Sequence, residues 1–163
     1  MKQPLSADLP FAEGYVLPID KPLGWTSSDV VRKIKVMMRR LGHRKIKVGH
    51  AGTLDPLATG VLIVCLGRAT KQAEALQAQP KEYLTTLALG ATTPSFDMEH
   101  PVDRTFPYEH ITRQMLEEAL RAMEGEQMQL PPVYSAKSID GKRAYEYARQ
   151  GTEVEMRRAP VTV

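Results

Sequence analysis

The 163-residue chain has few of the groups that cross-link a protein or hold a metal. Cys65 is the single cysteine, so no intrachain disulfide can form and a reducing compartment suits the chain. Its setting, VLIVCLG, is that of a buried, inert thiol. The four histidines, His43, His50, His100 and His110, are scattered without zinc-type spacing or an HExxH helix, and no metal is expected. No stretch approaches the length of a membrane span, and MKQPLSADLP at the N-terminus lacks the apolar segment and cleavage site of a secretory signal. A cytoplasmic protein without membrane contact is therefore expected. Internal repeats and low-complexity segments are absent as well.

Charge is unevenly spread. The net charge is only +3, yet Arg32, Lys33, Lys35, Arg39, Arg40, Arg44, Lys45 and Lys47 follow one another without an intervening acid. The region from Asp97 to Glu126 is acid-rich by contrast. Eight cations in one short stretch can be a solvated helix face, but their number favours a polyanionic partner such as a nucleic acid. With Arg68 and Lys71 further on, Arg32, Lys35, Arg39, Arg40, Arg44 and Lys45 are the candidates for contacting a nucleic-acid backbone.

The length allows one substantial core. Residues 1–13 are expected to be a disordered lead-in, and 14–163 to form one domain. Gly14 to Asp20 reads as a short strand, followed by a turn and a helix capped by Ser27 or Ser28. Val30, Val31, Ile34, Met37, Met38 and Leu41 form its apolar stripe, with Gly42 as the stop. Lys45 to Val48 alternates as a half-exposed strand, and Gly60 to Gly67 is a continuous apolar run, read as a buried strand. Thr70 to Gln79 reads as a helix and Lys81 to Leu89 as a strand. Ala91 to His110 is a long loop, Ile111 to Glu124 a helix, Asp140-Gly141 a turn, and Thr152 to Val163 a final strand.

The chemistry centres on GHAGTLDPLATGVL, Gly49 to Leu62, where Asp55 stands between Gly52 and Gly60 and precedes Pro56. An Asp-Pro pair is also an ordinary helix start. The whole string, however, resembles the signature of the TruB-type tRNA pseudouridine synthases, in which the aspartate is the catalytic residue. Three further blocks resemble the same family. They are IDKPLGWTSSDVV from Ile19, with Lys21, Pro22, Gly24, Thr26 and Ser27 bracing the catalytic loop; KEY, which places Tyr83 at the family's active-site tyrosine; and PPVYSAKSIDGKRAYEYARQG from Pro131. Ser138, Pro94 and His100 stand where many relatives carry other residues.

That resemblance implies an α+β fold: a mixed, mainly antiparallel sheet with flanking helices and a central catalytic cleft. It implies isomerisation of a uridine in the T-arm loop of tRNA, with no cofactor, by a monomer. Asp55 would be the catalytic nucleophile, adding to the base or assisting cleavage to a glycal-like intermediate. His50, Tyr83 and Asp97 would bind the substrate, the base being extruded into a pocket. The family normally continues with strands that carry an arginine for the aspartate and with a small RNA-binding domain, so a truncated enzyme is expected. A non-catalytic RNA-binding or RNA-folding module is the alternative.

Overall fold

The computed structural model describes residues 9–132, 138–139, 141–144, 147, 150–152 and 155–163. The chain divides into two compact units, Met1–Tyr83 and Leu84–Val163. The elements are mixed α and β, and all described strand pairings are antiparallel.

In the first unit, β1 (Tyr15–Lys21) leads into α1 (Ser27–Arg40), then β2 (Val48–His50) and β3 (Gly60–Leu66). The sheet order is β1-β3-β2. The central position of β3 explains its unbroken apolar sequence, since both of its edges are paired and Leu62, Val64, Cys65 and Leu66 are buried. Val61, near its start, is exposed. Val30, Val31, Ile34 and Met38 recur at helical spacing on α1 and join Leu62, Val64, Leu66, Val48 and Phe11 in one core.

Several local expectations need correction. The helix cap is Thr26 rather than Ser27 or Ser28: its hydroxyl accepts from the Asp29 N–H at 3.1 Å, and Asp29 reaches back to the Thr26 N–H at 3.0 Å. The alternation from Lys45 does not yield a strand until Val48, where pairing with Leu66 begins. The helix expected from Thr70 begins as a 3-10 turn, Gly67–Gln72, before α2 (Ala73–Gln77). Lys81 to Leu89 forms no strand, because its backbone finds no ladder partner among the described residues.

The lead-in expected to be disordered is in part structured. Residues 1–8 lie outside the described chain, but Phe11 is fully buried, with its ring edge-on to Tyr15 and to His43. The Arg68 N–H reaches back to the Ala12 carbonyl. Gly67 makes the close approach possible. Its φ is +58°, and a Cβ there would lie 2.2 Å from the Phe11 carbonyl oxygen.

In the second unit, β4 (Ala91–Thr92) pairs with β5 (Arg104–Thr105), and β6 (Glu126–Gln129) pairs with β9 (Ala159–Thr162). The hairpin of β7 (Ser138–Ile139) and β8 (Lys142–Arg143) brackets the expected turn, although Asp140 lies outside the described residues. The helix expected over Ile111 to Glu124 is present as α3 (Arg113–Arg121), capped by the Thr112 hydroxyl. Its apolar residues Met115 and Leu120 remain exposed. The final strand occupies only the last part of the stretch from Thr152.

Candidate active site

Asp55 is exposed on the loop joining β2 to β3, and both of its neighbours in sequence are held through main-chain atoms. On the Leu54 side, the buried Ser27 hydroxyl accepts from the Leu54 N–H at 2.9 Å and donates to the Leu54 carbonyl at 3.2 Å. On the other side, the Pro56 carbonyl accepts from the Gly24 N–H at 2.8 Å and from Lys21 Nζ at 3.4 Å. The loop base is tied down as well: the Ala51 N–H donates to the Ile63 carbonyl at 2.9 Å, and Lys21 and Gly60 are opposed where β1 meets β3.

Lys21 is the unusual member of this group, because its side chain is fully buried. Its ammonium uses its three hydrogens on three carbonyls, those of Trp25 at 2.6 Å, Pro22 at 3.1 Å and Pro56 at 3.4 Å. Burial pushes the Lys21 pKa below the ordinary lysine value, and the nearby Asp55 carboxylate offsets part of that fall. A buried cation thus faces the loop that carries the exposed acid.

His50 closes β2. Its Nδ1 donates a hydrogen bond to the Gly52 carbonyl, which can only accept. His50 also lines a cavity of about 450 Å³ with Ser28, Arg32 and Lys35. The structure therefore brings together one predicted substrate-binding residue and two of the predicted RNA-backbone cations. Arg32 is in addition paired with Asp29 at 2.9 Å. The Asp29 pKa is lowered, first by the Thr26 hydrogen bonds and then by Arg32.

The other candidates are dispersed. Arg39 and Arg40 occupy the last turn of α1, where cations complement the helix dipole, and Arg44 and Lys45 follow in the loop. Arg68 and Lys71 are exposed on the 3-10 turn. Tyr83 is exposed on irregular backbone rather than on a strand. Asp97 belongs to the second unit, where its carboxylate accepts from the Ser95 hydroxyl at 2.6 Å and the Glu99 N–H at 2.9 Å. Most of the block from Val133 to Glu146 lies outside the described residues.

Residues 39–163 match the model of the TruB family of pseudouridylate synthases, N-terminal domain. A protein of Phocaeicola vulgatus named tRNA pseudouridine synthase B is 60% identical over 148 residues, covering 90% of this chain and 63% of the relative. The protein of that name from Bacteroides fragilis is 57% identical, over 90% of this chain and 64% of its own length. That from Flavobacterium johnsoniae is 48% identical, over 94% and 68%. Against the first two, this chain spans just under two thirds of the relative's length. Among solved structures, a chain from the crystal structure of a Cbf5-Nop10-Gar1 complex aligns with a TM-score of 0.51 and 26% identity, covering 82% of this chain and 33% of that one. The braced Asp55 loop lies wholly inside the matched region, and the chain belongs to the TruB family of pseudouridylate synthases.

Proposed function

We propose that this chain carries the catalytic aspartate of a tRNA pseudouridine synthase acting on a uridine of the T-arm loop. The observation that carries the reading is the exposed Asp55, held by main-chain bonds to the residues on either side of it. The names of its relatives support tRNA as the substrate. The reaction breaks the N1–C1′ bond of uridine and joins C5 to C1′. It is an isomerisation that consumes no redox equivalent. Extrusion of the base costs about a few kcal/mol in lost stacking.

Asp55 acts as nucleophile on the base or assists cleavage to a glycal-like intermediate, and both routes need an ionised carboxylate. His50 helps to hold the extruded nucleotide, Tyr83 stacks on the base and takes part in removing the C5 proton, and Asp97 contributes to substrate binding. Arg32, Lys35, Arg39, Arg40, Arg44, Lys45, Arg68 and Lys71 contact phosphates, giving affinity that falls with salt. The protein works as a cytoplasmic monomer. No helix of the described residues is long and apolar enough to cross a membrane.

The test is tritium release from a T-arm RNA labelled at C5 of its uridines. Release by the parent chain and none by Asp55→Asn, with RNA affinity unchanged, is the expected result. Product formation by the Asn variant would overturn the assignment.

A further inference from the structure

A second cavity, of about 350 Å³, opens beside the first turns of α1. That lies at the lower end of the roughly 300–1,000 Å³ typical of ligand clefts. It is lined by Gly24, Trp25, Asp29, Arg32, Lys33 and Val36, none of which takes part in the chemistry at Asp55. Trp25 is the only tryptophan of the chain and is left 38% exposed. The one acid in the lining is already committed, since Asp29 accepts from the Thr26 N–H and hydroxyl and pairs with Arg32. Lys33 has no ion-pair partner among the described residues. The cavity thus combines an indole, a branched aliphatic side chain and excess positive charge.

An indole face and an adjacent cation match an unpaired nucleotide, whose base stacks and whose phosphate is anionic. The cavity is also joined to the catalytic loop. One ammonium, that of Lys21, bonds both the Trp25 carbonyl at 2.6 Å and the Pro56 carbonyl at 3.4 Å, and the Gly24 N–H bonds the Pro56 carbonyl at 2.8 Å. An occupant of the cavity therefore sits on the turn between β1 and α1, which is hydrogen-bonded to the loop that carries Asp55.

We infer that this cavity is a subsite for an unpaired nucleotide neighbouring the target uridine, with its base stacked on Trp25 and its phosphate met by Lys33 and Arg32. The inference rests on the reading of Asp55 as the centre of an RNA-modifying site. It adds a place where the RNA strand is gripped beyond the base that reacts.

The single tryptophan gives a direct probe. A T-arm stem-loop RNA is titrated against the chain while indole fluorescence is followed, beside the same RNA made abasic at the nucleotides flanking the target uridine. Quenching by the intact RNA alone is expected. Trp25→Ala should weaken binding of the intact RNA roughly tenfold or more, while Trp25→Phe, which keeps an aromatic face, stays within about threefold of the parent. Lys33→Ala should lower the slope of log affinity against log salt by about one. Unchanged fluorescence while labelled RNA shows binding by anisotropy would overturn the subsite, as would equal quenching by the abasic RNA or parent-like affinity of Trp25→Ala. The two readings fail separately. Tritium release without a Trp25 signal removes only the subsite, whereas quenching without release leaves the nucleotide contact and removes the catalytic assignment.

Discussion

Replacing Ser27 by alanine removes one oxygen atom and two hydrogen bonds, those to the Leu54 N–H and the Leu54 carbonyl. Ser27 is buried but Leu54 only partly so, and water can reach the freed groups to some extent. Each lost bond is then worth about 1 kcal/mol, near the middle of the usual range. Ser27 is the first residue of α1, and alanine's better helix propensity returns roughly 0.5 kcal/mol. The net loss is about 1.5 kcal/mol, which corresponds to roughly tenfold in the equilibrium constant between placed and displaced Leu54. Urea unfolding measures the stability, and tritium release under saturating RNA measures the chemical step. Stability should fall by about that amount and the rate should drop by up to about tenfold, with RNA affinity little changed. Ser28→Ala is the control, because Ser28 is exposed, and its effect should stay within about 0.5 kcal/mol. If Ser27→Ala altered neither stability nor rate, the hydroxyl would not be what holds the loop.

Gly67→Ala forces a left-handed φ of +58° on alanine and drives its Cβ to 2.2 Å from the Phe11 carbonyl oxygen. A loss above about 2 kcal/mol is expected, seen as a Tm lower by roughly 5 °C or more, and an unchanged Tm would refute the close approach. Phe11→Ala should cost about 3–5 kcal/mol in urea unfolding, and a cost below about 1 kcal/mol would mean that the segment before Gly14 does not belong to the core. Asp29 contributes through a lowered carboxyl pKa, set first by Thr26 and then by Arg32. Its stabilisation is complete above the unfolded-state value and is lost as pH falls through the folded one. Asp29→Asn should therefore flatten the decline of Tm between about pH 5 and about pH 2, and parallel curves for parent and variant would remove Asp29 from the account.

The elements legible in the sequence were those whose pattern and punctuation agree. β3 is an apolar run between glycines, and α1 carries a stripe at helical spacing that ends at Gly42. The family was legible through the residue string of the Asp55 loop. The loop's supports were visible only as residues that the resemblance marks, because the Ser27–Leu54 and Lys21–Pro56 contacts join positions 27 and 35 residues apart, and no local periodicity reports such a pair. Lys21 shows the limit clearly. The sequence marks it only through the resemblance, and its complete burial depends on three carbonyls that only the folded backbone gathers. Lys81 to Leu89 erred in the opposite direction, with β-branched and aromatic residues supplying strand propensity but no partner. Phe11 lay outside any recognisable element, and the glycine that admits it is 56 residues away.

The restraints on Asp55 grip main-chain atoms of residues 54 and 56, while the side chains of Thr53, Leu57 and Thr59 point into solvent and take no part. Substitutions at those three sites remove none of these hydrogen bonds. The exposed side-chain surface of the loop can therefore vary while the backbone that carries Asp55 keeps its hydrogen bonds. Residues 54 and 56 fix the path of the loop, and residues 53, 57 and 59 share the outward side with Asp55.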